Sequence, residues 1–153
     1  MTKYLIGTFA LIIVGCTPPP PPPPPPLNQL EVQEFVRQYV AATNSGDASK
    51  LMELVSREPS VSSVVYGKID RGWDAIREST DANIAEATRT QIAVGTVEVT
   101  ALGTDFALAV APMYITPLES RRTVDVPGGV TIVVKRTPEG IRLIHEHFSI
   151  GAP

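Results

Sequence analysis

Apolar residues fall along this chain in three successive rhythms. Tyr4–Val14 is nearly continuous apolar sequence, interrupted by Gly7 and Thr8 and preceded by Lys3. From Val32 the spacing becomes three and four: Val32, Phe35, Val36, Tyr39, Val40 and Thr43 form a helical stripe. Asn28 and Glu31 supply a capping box before it, and Asn44-Ser45-Gly46 ends it. Asp47 caps a second, shorter helix carrying Leu51, Leu54 and Val55, which Pro59 terminates. Ser60–Tyr66 is β-rich, and 67–72 is bracketed by glycines and reads as a turn. Trp73, Ile76, Thr80, Ile84 and Ala87 line one face of a third helix.

After Ala87 the period shortens to two. Residues 89–102 form a strand whose apolar parity switches at Gly95, the signature of a bulge and a bend. A long apolar strand runs from Phe106 to Thr116, residues 117–129 are irregular, and Val130–Arg136 forms another strand. A hairpin turn at Thr137-Pro138-Glu139-Gly140 leads into Ile141–Ile150. Three helices followed by a run of antiparallel strands predict an α+β fold.

The first rhythm carries a different message. About 11 apolar residues suit a signal peptide and fall short of the roughly 20 that span a bilayer. The run ends in Ile13-Val14-Gly15-Cys16, which resembles the bacterial lipobox. Cys16 is the only cysteine, so no internal disulfide can employ it. The resemblance implies lipidation of Cys16, cleavage before it, and anchoring in the cell envelope. Thr17, in place of a retention Asp, implies the outer membrane. Pro18–Pro26 then allows only polyproline II, a spacer of roughly 28 Å. The chain divides into a leader (1–15), a lipidated Cys with its linker (16–26), and one folded domain (27–153). The net charge of −3 argues against nucleic acid as a partner.

Within the domain, Gly72-Trp73-Asp74-Ala75-Ile76-Arg77 and Gly140-Ile141-Arg142-Leu143-Ile144-His145-Glu146-His147-Phe148-Ser149 resemble the SnoaL-like group. That group belongs to the superfamily of nuclear transport factor 2 and ketosteroid isomerase. The resemblance implies a cone: a curved antiparallel sheet wrapped round three helices, a cystatin-like α+β roll with an interior pocket. It also implies a dimer. The isomerase branch carries an Asp base near the end of its first strand, where this chain has Ser62-Ser63-Val64-Val65-Tyr66. Isomerase chemistry is therefore not expected.

Strict alternation from Ile141 places Leu143, His145, His147 and Ser149 on the pocket face. It sets Ile144, Glu146 and Phe148 on the opposite face, available to a second copy. Candidate ligand-binding residues are Tyr39, Tyr66, Trp73, Met113, His145 and His147, because a cone would gather them round one cavity. His147 is the candidate acid/base, since imidazole titrates near neutrality. A catalytic zinc on His-x-His needs a third protein ligand that no spacing indicates, so neither metal nor cofactor is expected. Three readings follow. One is a lipid-anchored domain binding a small apolar ligand or an envelope partner. The second is an enzyme using His147 on a small organic substrate. The third is a structural protein with a filled cone.

Overall fold

Helix α1 (Gln29–Asn44) opens the folded region of the computed structural model, which describes residues 22, 24–118 and 125–151. Asn28 caps it with a reciprocal pair of bonds: Glu31 N donates to Asn28 Oδ1 at 2.9 Å, and Asn28 N donates to Glu31 Oε2 at 3.0 Å. The buried stripe is Val32, Phe35, Val36, Tyr39 and Ala42. Asn44 ends the helix and ties it to the sheet. Its side chain donates to Ile92 O at 2.8 Å and accepts from Ile92 N at 2.9 Å. Asp47 caps α2 (Ala48–Glu53) through Ser49 N and Lys50 N. The leader, Cys16 and most of the proline run lie outside the described residues. Among the described residues, no helix is long and apolar enough to cross a membrane.

The remaining elements are β1 (Ser62–Val65), β2 (Lys68–Arg71), α3 (Trp73–Ala87), β3 (Thr90–Val94), β4 (Glu98–Ala101), β5 (Phe106–Pro117), β6 (Val126–Thr137) and β7 (Gly140–Ile150). They build one curved, unclosed sheet in the order β2-β1-β7-β6-β5-β3, with β4 also on β5. The expected α+β architecture is present, with one difference in pairing. β1 runs parallel to β7, so the sheet is mixed, while its other pairs are antiparallel. Three local readings also change. Residues 68–71 are not a turn but the edge strand of a hairpin on β1. The stretch 89–102 is two strands, β3 and β4, that share β5 as partner. The break between them lies at Gly95, whose N–H bonds Pro112 O at 2.9 Å. β6 begins at Val126, earlier than the alternation alone indicates.

The core lies between α1 and the concave side of the sheet. Ala107, Ala109, Ala111, Met113 and Ile115 from β5 and Val130, Ile132 and Val134 from β6 point into it. The three alanines keep that wall low, so α1 can pack close against it.

One irregularity decides what β7 presents to the interior. Val134 pairs with Leu143, but the preceding residue of β6, Val133, pairs with His145. Ile144 is the extra residue of a β-bulge, and it shifts the alternation of everything after it by one place. Leu143 and Glu146 are buried and His147 is exposed. Phe148 packs on the core side, stacked on Tyr39 at 6.5 Å between centroids.

Candidate functional site

The expectation that His145 and His147 look into the cone is therefore corrected. The bulge at Ile144 turns both to the convex face, and Ser149 turns out with them. His145 there lies 2.9 Å from Ser62 Oγ through Nδ1, and His147 pairs across to Val64 and Thr131. Neither lines the interior cavity, so the geometry does not place His147 where it could act on a ligand held there. The same shift moves Glu146 and Phe148 from the convex face to the concave one.

The interior cavity measures about 430 Å³. That is within the range of small-molecule sites. Its walls are mainly apolar, with Leu51 and Val55 beyond α1, Ile76 and Ile84 from α3, Ile92 from β3, and Met113 and Ile115 from β5. Tyr39, Tyr66 and Met113 of the sequence candidates line it. Trp73 does not. It lines a larger, more open groove with Arg57, Arg77 and Arg142, and the Arg57 guanidinium lies 4.2 Å from the Trp73 ring centroid. That groove has no buried acid in its lining.

The polar end of the cavity is built from three elements. Tyr39 comes from the buried stripe of α1, Ser63 from β1, and Glu146 from β7. The parallel register places Ser63 directly beside Glu146. Ser63 Oγ donates to Glu146 Oε1 at 2.6 Å, and the Tyr39 hydroxyl donates to Oε2. All three residues are buried, Glu146 with 5% of its surface exposed. Burial pushes the Glu146 carboxyl above its ordinary value, outweighing the two hydroxyl bonds that favour the carboxylate. Burial, and then the neighbouring Glu146, push the Tyr39 phenol well above its usual range. A neutral carboxyl in such a setting can donate a hydrogen bond, and it can release its proton when charge nearby changes.

The cavity mouth is different. It is formed by the β1–β2 turn and the polar side of α3. Lys68 Nζ spans it, 2.9 Å from Ser79 Oγ and 3.1 Å from Asp70 Oδ1. Tyr66 sits in that turn, 72% exposed and at φ 51°. This left-handed conformation is uncommon for a non-glycine residue. Among the described residues, no group of three or more His, Cys, Asp or Glu side chains is placed to hold a metal.

Strict alternation along β7 sets Glu146 on the outer face, and only the register shift at Ile144 brings it inside. A residue's face on a strand can be read only if the register is unbroken, and nothing at Ile144 announces the bulge.

The family model described as a SnoaL-like domain matches residues 32–153. No curated protein matches the chain in sequence. Solved structures share the fold. An NTF2-like protein with a cystatin-like fold from Novosphingobium aromaticivorans is 24% identical, with TM-score 0.68 over 80% of each chain. A nuclear transport factor 2-like superfamily protein from Salmonella enterica is 20% identical, with TM-score 0.68 over 81% of this chain and 91% of that one. A protein with a cystatin-like fold from Nostoc punctiforme is 13% identical, with TM-score 0.70 over 84% of this chain and 95% of that one.

Proposed function

The chain belongs to the SnoaL-like domain family, and we propose on that premise that its domain binds a small, largely apolar molecule bearing one hydrogen-bonding polar group. The observation that carries this reading is the 430 Å³ cavity whose apolar walls end on the buried Tyr39–Glu146–Ser63 cluster. Apolar walls supply affinity without direction, and a few convergent polar groups fix orientation. A ligand carbonyl or hydroxyl would lie against the Glu146 carboxyl, with its apolar body toward Met113 and Ile84. The cavity favours this reading over that of a filled cone.

Native mass spectrometry of the full chain extracted from its source membrane tests the proposal. The wild type should carry a small-molecule adduct, and Met113→Trp, which fills the cavity, should lose it. A wild type without adduct, or a Met113→Trp chain with the same adduct, would overturn the reading.

A second reading is supported by the same carboxyl. With its proton held more tightly than usual, Glu146 is suited to general acid/base work on the bound molecule. The enzymatic role considered for His147 passes in this reading to Glu146. Glu146→Gln separates the two readings: a binder keeps most of its adduct, whereas an enzyme accumulates unreacted ligand of altered mass.

We also propose that the domain is held at a bacterial outer membrane through acylated Cys16. A palmitate analogue fed to the producing cell should label the wild type and not Cys16→Ser, and label on the variant would refute the anchor.

A further inference from the structure

We propose that His145 and His147 together form a bidentate site for a divalent transition-metal ion, Cu2+ above others, on the convex face of the sheet. The site is independent of the cavity, which lies on the other side of β7. Beyond the bulge, β7 is regular, and residues two apart on a strand project to the same side about 7 Å apart. Two imidazoles at that separation can converge on one ion at about 2.0–2.1 Å each.

The surroundings favour this use of the pair. On the flanking strands, His145 stands between Ser62 and Val133, and His147 between Val64 and Thr131. All four neighbours are short, and none is charged. Ser62 Oγ holds Nδ1 of His145 at 2.9 Å, which fixes the ring and leaves Nε2 as the free donor. Burial, and then the neighbouring His147, lower the His145 imidazole below its ordinary value, which favours the neutral ring a metal needs. His147 is exposed, so the ion needs no entry path. Among the described residues, no third protein ligand joins them. Water would complete the coordination and the site would stay open. Imidazole donors suit copper, nickel and zinc, and the order of divalent affinities puts Cu2+ first.

The chain contains only these two histidines, so any imidazole signal belongs to them. The test titrates Cu2+ into the full chain, with the sulfur of Cys16, the single cysteine, blocked by its acyl group or, where unacylated, by alkylation. Electron paramagnetic resonance at one copper per chain should show hyperfine splitting from two imidazole nitrogens. His145→Ala and His147→Ala should each reduce the pattern to one nitrogen and remove saturable binding at the wild-type concentration. Ser62→Ala should retain both nitrogens and weaken binding about tenfold. The melting curve without metal reports whether each variant folds. A wild-type spectrum lacking imidazole nitrogen would overturn the proposal. So would unchanged affinity in a folded single-histidine variant, or two nitrogens found only at one copper per two chains.

Discussion

Glu146 is a buried carboxyl whose hydrogen bonds and burial pull its charge in opposite directions. Its two oxygens are met by Ser63 and Tyr39, so no acceptor is left bare, yet its charge is unwelcome where it sits. The consequence for pH has a definite sign. The folded-state value is raised above 4.5, so from pH 4.5 upward the folded chain keeps a proton that the unfolded chain releases. Stability from this group is complete below the unfolded value and is lost as pH rises through the folded one. Glu146→Gln keeps a polar group of similar shape and cannot ionise. Its melting temperature should therefore fall less than that of the wild type as pH rises from 4.5 toward neutrality. Thermal melts across that interval decide the matter, and parallel curves would show that Glu146 does not titrate as its burial requires. Tyr39 adds no slope in this interval, because its phenol is shifted in the opposite direction from neutrality.

At the scale of elements, what was legible in the sequence depended on whether a feature had a local cause. α1 could be read from its capping box and buried stripe, and α2 from Asp47. The bend after β3 could be read because Gly95 marks it. β2 could not, because Gly67 and Gly72, five residues apart, look like the ends of a loop when they flank a four-residue edge strand. The bulge at Ile144 had no marker at all. It sits between Leu143 and His145, where no Gly or Pro interrupts the pattern, and it follows from how β6 and β7 pair at a distance of some ten residues. That single insertion exchanged the histidines for Glu146 at the cavity. The fold survives such an error, since hydrophobic content per element does not depend on parity. The candidate site does not, since a one-residue slip carries every later side chain to the other face.

At the scale of the molecule, the three helices occupy one side of the sheet and leave the convex side uncovered. Phe148 cannot contribute to an association surface there, because it packs inward beside Tyr39. Among the exposed apolar side chains, three lie along β5: Phe106, Val110 and Tyr114 are 36%, 43% and 41% exposed, at four-residue intervals on one face. Leu108 and, across on β6, Val133 join them as half-buried neighbours. Three large residues in a row on an open sheet face form a contiguous patch of the kind that a second molecule covers. A twofold dimer would set the patch against itself, satisfying both copies with one surface. Val110 lies at its centre. Light scattering on the purified chain should give the mass of a dimer for the wild type and of a monomer for Val110→Glu, with the two melting alike once dilution has separated the wild-type subunits. Replacing Val110 adds a charge to an exposed position and removes nothing from the core, so a folded variant is expected. A wild type that is monomeric at micromolar concentration, or a Val110→Glu chain that remains dimeric, would show that this face is covered by something other than a second copy.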